Sequence, residues 1–151
     1  MIGYIIQTLM GAIGSVGFAV LFNVRGKRLV LFFLGGALDW AVYLLCSQNG
    51  CSSFVSMLFA TMTAALTSEI LARVIHTPVL LLLVPMLVPL IPGGDLYRSM
   101  DALIRSEQAD FLAYGSSAIT AAGAICLGII CITAVTHILF SIGNQFRKQS
   151  H

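Results

Sequence analysis

Residues 85 to 98 read Pro85-Met86-Leu87-Val88-Pro89-Leu90-Ile91-Pro92-Gly93-Gly94-Asp95-Leu96-Tyr97-Arg98, and they close an intensely apolar run that begins at Val79. Each proline removes a backbone donor and clashes with the carbonyl four residues earlier. The run from Val79 to Ile91 spans 13 residues, short of the ~20 that a straight membrane helix needs. Broken backbone at membrane depth persists only where protein or a water-lined cavity satisfies it. Discontinuous segments of that kind are where secondary transporters hold substrates and ions. Transport is therefore the chemistry to which this stretch points.

Composition agrees with a bilayer environment. The 151 residues are 58% hydrophobic and only 9% charged, whereas a soluble domain is ~25% charged. The length suits a single domain, residues 1–151. A net charge of +2 without a basic stripe and interleaved aromatics argues against nucleic acid. Met1 to Thr8 contains no Lys or Arg, and no small-x-small cleavage site follows the first apolar run. That run is expected to stay as a membrane helix rather than to be removed as a signal.

Working outward from the proline-rich stretch, the hydrophobic pattern predicts an all-α integral membrane protein with five transmembrane segments. They cover about Ile2 to Phe22, Leu29 to Cys46, Phe54 to Val74, the short Val79 to Ile91, and Phe111 to Phe140. The fifth is about 45 Å long if wholly helical. It must therefore tilt, protrude or break, with Gly115-Ser116-Ser117 the weakest point. Between the fourth and fifth segments, Leu96, Met100, Leu103 and Ile104 recur at helical spacing, with Arg98, Asp101 and Arg105 on other faces. This predicts an amphipathic helix over about 95–108, with Asp95 at its N-cap.

Loop charge sets the expected orientation. Arg25, Lys27, Arg28, Arg73, Arg147 and Lys148 fall on one side if all five segments span. The positive-inside rule then places the N-terminus outside and the C-terminus in the cytoplasm, in a multi-pass cytoplasmic (inner) membrane protein. In that orientation Pro92-Gly93-Gly94 falls at the outer end of the fourth segment, as an outer gate. An odd number of spans also suits pairing with an inverted unit supplied by another polypeptide.

Asp39 is the leading candidate for chemistry, because it falls near the centre of the second segment. A carboxylate there costs at least ~2.5–3.5 kcal/mol, so it faces protein or water. It reads as a proton relay or substrate contact, or else as an acid that ties two helices together. Gly35, Gly36, Tyr43 and Cys46 share its face. Glu69 is the second transport candidate, although Arg73 one turn later makes a structural ion pair the simpler account. Ser56, Thr63 and Thr67 lie close to one face of the same helix.

His137, His76 and His151 have no metal-ligand constellation around them. No metal and no cofactor is expected. Cys46, Cys51, Cys126 and Cys131 lack zinc-site spacing. They read as small packing residues, with a disulfide across the Cys46–Cys51 loop as the alternative. Gly3, Gln7, Gly11, Ser15 and Ala19 recur every four residues, a spacing that lets a second helix approach closely. Ser117, Ala121, Ala124 and Gly128 suggest another such seam. Gly35 and Gly36 join Gly11 and Ser15 as expected packing positions. At Pro92-Gly93-Gly94-Asp95, the N–H groups opening the next helix suit a carboxylate, with Tyr97 and Arg98 one turn in. An ordinary loop and helix start is the simpler alternative.

The pattern Pro-x-x-x-Pro-x-x-Pro-Gly-x-x-x-Tyr at Pro85, Pro89, Pro92, Gly93 and Tyr97, followed by Arg98-x-Met100, resembles the threonine/serine exporter family. The similarity is to its small five-helix half and extends over nearly the whole chain. It implies proton-driven antiport that exports threonine, serine or related small carboxylates, dicarboxylates included. The family's larger half carries a soluble region that is absent here, which implies a larger partner subunit and a hetero-oligomer. Assembly with further copies of this chain is compatible with that. On this resemblance Asp39 is the proton-responsive group, and Pro92, Gly93, Gly94, Asp95, Tyr97 and Arg98 form a gate or substrate contact. The alternative is a non-transporting scaffold subunit. Neither a nucleophile–base pair, a His-Glu-x-x-His helix nor a Gly-x-Ser-x-Gly turn occurs, so an enzyme is not expected.

Overall fold

The computed structural model describes residues 2–149, with side chains described through Leu139. His151 and the side chains of Arg147 and Lys148 lie outside the described part. Among the described residues all regular structure is helical. α1 covers Ile2–Leu21, and a 3-10 turn over Gly26–Arg28 leads into α2, Leu29–Gln48. α3 covers Ser53–Val74, and α4 covers Val79–Leu87 before tightening into a 3-10 turn over Val88–Leu90. α5 is Gly93–Ile104, and α6 runs from Gln108 to Gln149. Four of these helices are long and apolar enough to cross a membrane, or five if the pair Val79–Leu90 and Gly93–Ile104, bent by 54°, counts as one span.

Local chemistry explains most of the boundaries. Ser52 caps α3, its Oγ accepting from the Val55 N–H at 3.4 Å, and Pro78 precedes α4 where a missing N–H does no harm. Four helices end the same way, through a left-handed residue that turns the chain back on its last carbonyls. At the end of α1, Asn23 (φ 61) lets the Val24 N–H reach the Ala19 carbonyl. At the end of α3, His76 (φ 52) lets Thr77 reach Ala72. Ser106 (φ 61) lets Glu107 reach Ala102, and Gly50 (φ 79) lets Cys51 reach Cys46. This is the Schellman closure, built here three times without glycine.

The helices pack through small residues. α1 lies against α2, α2 against α3, and α4 against α1, α2 and α3. Ser15 sits so close to Gly36 that a Cβ on the glycine would collide with its side chain. Gly11 faces the Trp40 side chain, with 3.2 Å available to an added Cβ. Gly35 meets Met86 at 2.7 Å measured in the same way, and Gly128 meets Thr61 at 2.9 Å. α3 is the hub. It touches α2 and α4 on one side and α6 on the other, and it carries nine buried residues, from Ser56 to Ala72.

Three expectations need correction. The amphipathic helix begins at Gly93, not Asp95, and Pro92 occupies the cap position. Asp95 cannot cap because it already stands in the first turn, and its Oδ2 instead accepts from Ser117 Oγ at 2.6 Å. The last helix does not break at Gly115-Ser116-Ser117. These residues are held in place: Gly115 lies against Ser99, Ser116 Oγ donates to the Ala113 carbonyl, and Ser117 holds Asp95. At 42 residues the helix is about 63 Å long, roughly twice a ~30 Å hydrocarbon core. The cysteines are free, and Cys51, Cys126 and Cys131 are exposed rather than packed.

Two stability outcomes follow, both read as the thermal unfolding midpoint in detergent. Gly36→Val and Gly128→Val should destabilise by about 1–3 kcal/mol through overpacking, whereas Gly17→Ala, where an added Cβ meets nothing within 4 Å, should be neutral or mildly stabilising. Equal loss at all three positions would reject the close-packing account. Replacing left-handed His76 by Gly should raise stability by about 1 kcal/mol, and a lower midpoint would show that the imidazole is needed there.

Candidate functional site

Asp39 lies at mid-length on α2 and is 1% exposed. Among the described residues no protein group donates a hydrogen bond to either of its carboxylate oxygens. Two neighbouring polar atoms are in the same condition: the buried Ser15 Oγ, which faces Gly36, and the Trp40 Nε1. Trp40 stacks obliquely on Tyr43, with ring centroids 5.3 Å apart. Buried polar groups are nearly always satisfied, so four orphaned atoms on three residues of one pair of helices make this layer the leading candidate for a site.

The broken helix is in register with this carboxylate. Gly35, one turn before Asp39, faces Met86 of α4, and Met86 Sδ accepts from Ser68 Oγ of α3 at 3.5 Å. α2 and α4 run in the same direction, each antiparallel to α3, so one turn beyond Met86 brings the 3-10 turn Val88–Leu90 level with Asp39. From α1, Gly14 faces Pro89. A cavity of about 310 Å³ lies between these elements, lined in part by Gln7, Gly11, Gly14, Trp40, Val88 and Pro89. The 3-10 turn therefore packs against the middle of α1.

The same break supplies acceptors and donors. Pro85 has no N–H for the Leu81 carbonyl, and Pro89 has none for that of Pro85. The carbonyl end of α4 carries the negative end of its dipole, and the opening turn of α5 carries the positive end of its own. There the Gly93 N–H bonds the Ile91 carbonyl at 2.7 Å and that of Leu96 bonds Pro92. The N–H groups of Gly94 and Asp95 belong to the first turn, which has no intrahelical acceptors. A carboxylate and free carbonyls suit a cationic group or a proton. A helix N-terminus suits a carboxylate.

Other candidates from the sequence sit elsewhere. Glu69 Oε2 pairs with Arg73 Nη2 at 2.8 Å, and Arg73 Nη1 also donates to the Glu69 carbonyl. Tyr97 is 74% exposed, and Arg98 stacks over the Tyr114 ring at 5.6 Å to its centroid. α5 packs on α6 alone, which keeps these two apart from Asp39. Ser56 Oγ and Thr63 Oγ1 donate to carbonyls of their own helix, and His137 is exposed. Gly11, Ser15, Gly35 and Gly36 are buried at helix contacts, but Gly3 and Gln7 of the same row are exposed. Sequence reasoning missed Trp40 and Ser15 as polar members of the Asp39 layer. Adjacency to Asp39 was the only signal for Trp40, and Ser15 reads as a packing residue until its hydroxyl is seen to lack an acceptor.

No curated protein and no solved structure matches the chain. A sequence profile described as Threonine/Serine exporter, ThrE, matches residues 7–135, which takes in α1 through most of α6 and every residue of the Asp39 layer. With several helices apolar enough to cross a bilayer, the chain belongs to the threonine/serine exporter family, as a multi-pass membrane component of amino-acid export.

Proposed function

We propose that this chain is the small membrane half of a proton-coupled exporter of threonine, serine or related small organic acids, and that it works with a larger partner subunit. In this reading the bent pair α4–α5 is the fourth of five spans, and its break lies at the bilayer midplane. Asp39 is the group that exchanges a proton or meets the substrate ammonium. The opening turn of α5, from Pro92 through Asp95, meets the carboxylate, while Tyr97 and Arg98 shape the outer approach. Basic residues at Arg25, Lys27, Arg28 and Arg73 favour that end as the cytoplasmic one.

One observation carries the proposal: a fully buried carboxylate with no protein donor, level with a proline-broken helix. An ionised acid left alone in such surroundings is costly by several kcal/mol. It persists when a proton, a cation or a substrate group periodically compensates it. The exposed apolar residues of α5, among them Leu96, Met100, Leu103 and Ile104, support a partner over that helix. Glu69, already paired to Arg73, is the weaker candidate for proton coupling.

Export of labelled threonine and serine, measured with membrane abundance in cells or vesicles that carry both subunits, tests this. Asp39→Asn, nearly isosteric, should lower proton-coupled flux on the order of 10²-fold without lowering abundance, and Asp39→Glu should retain part of it. Undiminished flux in Asp39→Asn would remove Asp39 from the mechanism. If flux then fell only with variants that break assembly, such as Gly36→Val, a scaffold role would replace the transport reading.

A further inference from the structure

At the basic end of the bundle, a second concavity of about 290 Å³ lies between the α1–α2 connection and the start of α4. Its mouth is formed by Arg25, Arg28 and Asn23, and its floor by the buried side chains of Phe32 and Leu82. Leu81 and Phe22, both exposed, line the side that faces away from the bundle. None of the residues lining it is acidic, and among the described residues neither guanidinium pairs with a carboxylate.

The backbone brings the two arginines together. Arg25 is extended, with φ −133 and ψ 159, and leads directly into the 3-10 turn Gly26–Arg28. The tight turn between them leaves Arg25 and Arg28 lining the same concavity. Beneath that mouth the wall is apolar except at Thr77, whose hydroxyl already donates to the Ile75 carbonyl, and it opens outward at Leu81. A small polar acid finds charge here but no further polar partners on the floor. An amphiphilic anion finds both halves satisfied.

We propose that this pocket binds an anionic phospholipid, its phosphate held between Arg25 and Arg28 and the start of one acyl chain running over Leu81 and Phe22. The site is separate from the Asp39 layer, and its occupancy is independent of whether Asp39 carries protons. Basic pockets between membrane helices recognise acidic headgroups through clustered cations, and two arginines allow forked hydrogen bonds to phosphate oxygens. Asn23 adds a neutral amide at the rim.

Native mass spectrometry of the purified full chain in detergent tests the assignment, titrating phosphatidylglycerol, phosphatidylcholine, succinate and inorganic phosphate separately. Phosphatidylglycerol should be retained over phosphatidylcholine. Removing each arginine's charge should lower that retention about fivefold, so Arg25→Ala/Arg28→Ala should abolish the preference. Arg25→Lys/Arg28→Lys, which keeps charge but not the fork, should retain part of it and controls for folding. Leu81→Trp, which leaves both arginines in place, should weaken lipid retention by narrowing the acyl path. Equal retention of both lipids, or an unchanged preference in the double alanine variant, overturns the proposal. Succinate or phosphate bound as tightly as phosphatidylglycerol would instead make the pocket a site for soluble anions.

Discussion

Hydrocarbon gives an apolar helix no reason to prefer another helix over a lipid tail, so association in a bilayer depends on close backbone approach. In this chain that constraint is met by a short set of contacts: Ser15 on Gly36, Gly11 on Trp40, Gly35 on Met86 and Gly128 on Thr61. Each brings two helices nearer than larger side chains would allow. They register α1, α2 and α4 against one another and α3 against α6, and Ser68 Oγ on Met86 Sδ joins the two sets. A single Cβ added at Gly36 would push apart α1 and α2, and one added at Gly128 would push apart α3 and α6.

That layer is where close packing and polar chemistry meet. The contacts that draw α1 against α2 also seal Asp39, Ser15 and Trp40 away from solvent without giving them hydrogen-bond partners from the protein. Met86 and Pro89 set the interrupted α4 in the same layer through Gly35 and Gly14. A bundle stabilised only by packing would place an apolar side chain at position 39. Retaining a carboxylate there is the kind of local inconsistency that marks function, and membership of an exporter family supplies a reason for it.

The other half of the molecule is built differently. α5 and the first turns of α6 form a helical hairpin held by Ser99 on the Phe111 carbonyl, Ser117 on Asp95 and Arg98 over Tyr114. Among the described residues α5 packs on no helix but α6, and Ile104 is 83% exposed. Asp95, Arg98 and Ser99 tie the hairpin together, while Leu96, Met100, Leu103 and Ile104 are exposed. The bundle of α1–α4 is completed by α6, whose Ala121 and Ala124 join its core, while α5 presents a surface suited to lipid or to another subunit. α3 meets α6 through Thr61 and Gly128.

Period and composition were enough to announce helices, a bilayer setting, the short proline-interrupted run and a costly acid at position 39, because those depend on local hydrophobicity and on backbone donors that proline lacks. The Glu69–Arg73 pair was legible for the same local reason, one turn of helix. Left-handed closures at Asn23, His76 and Ser106 were not, since residues other than glycine carry no clear sign of that conformation. Nor could spacing say that α6 stays continuous through Gly115-Ser116-Ser117, where contacts to α5 support it. The depth of the proline break was decided only by tertiary structure. Chain order gives Met86 and Pro89 no partners, but their packing on Gly35 and Gly14 sets the 3-10 turn Val88–Leu90 near the level of Asp39, because helix register depends on which small residues meet across an interface.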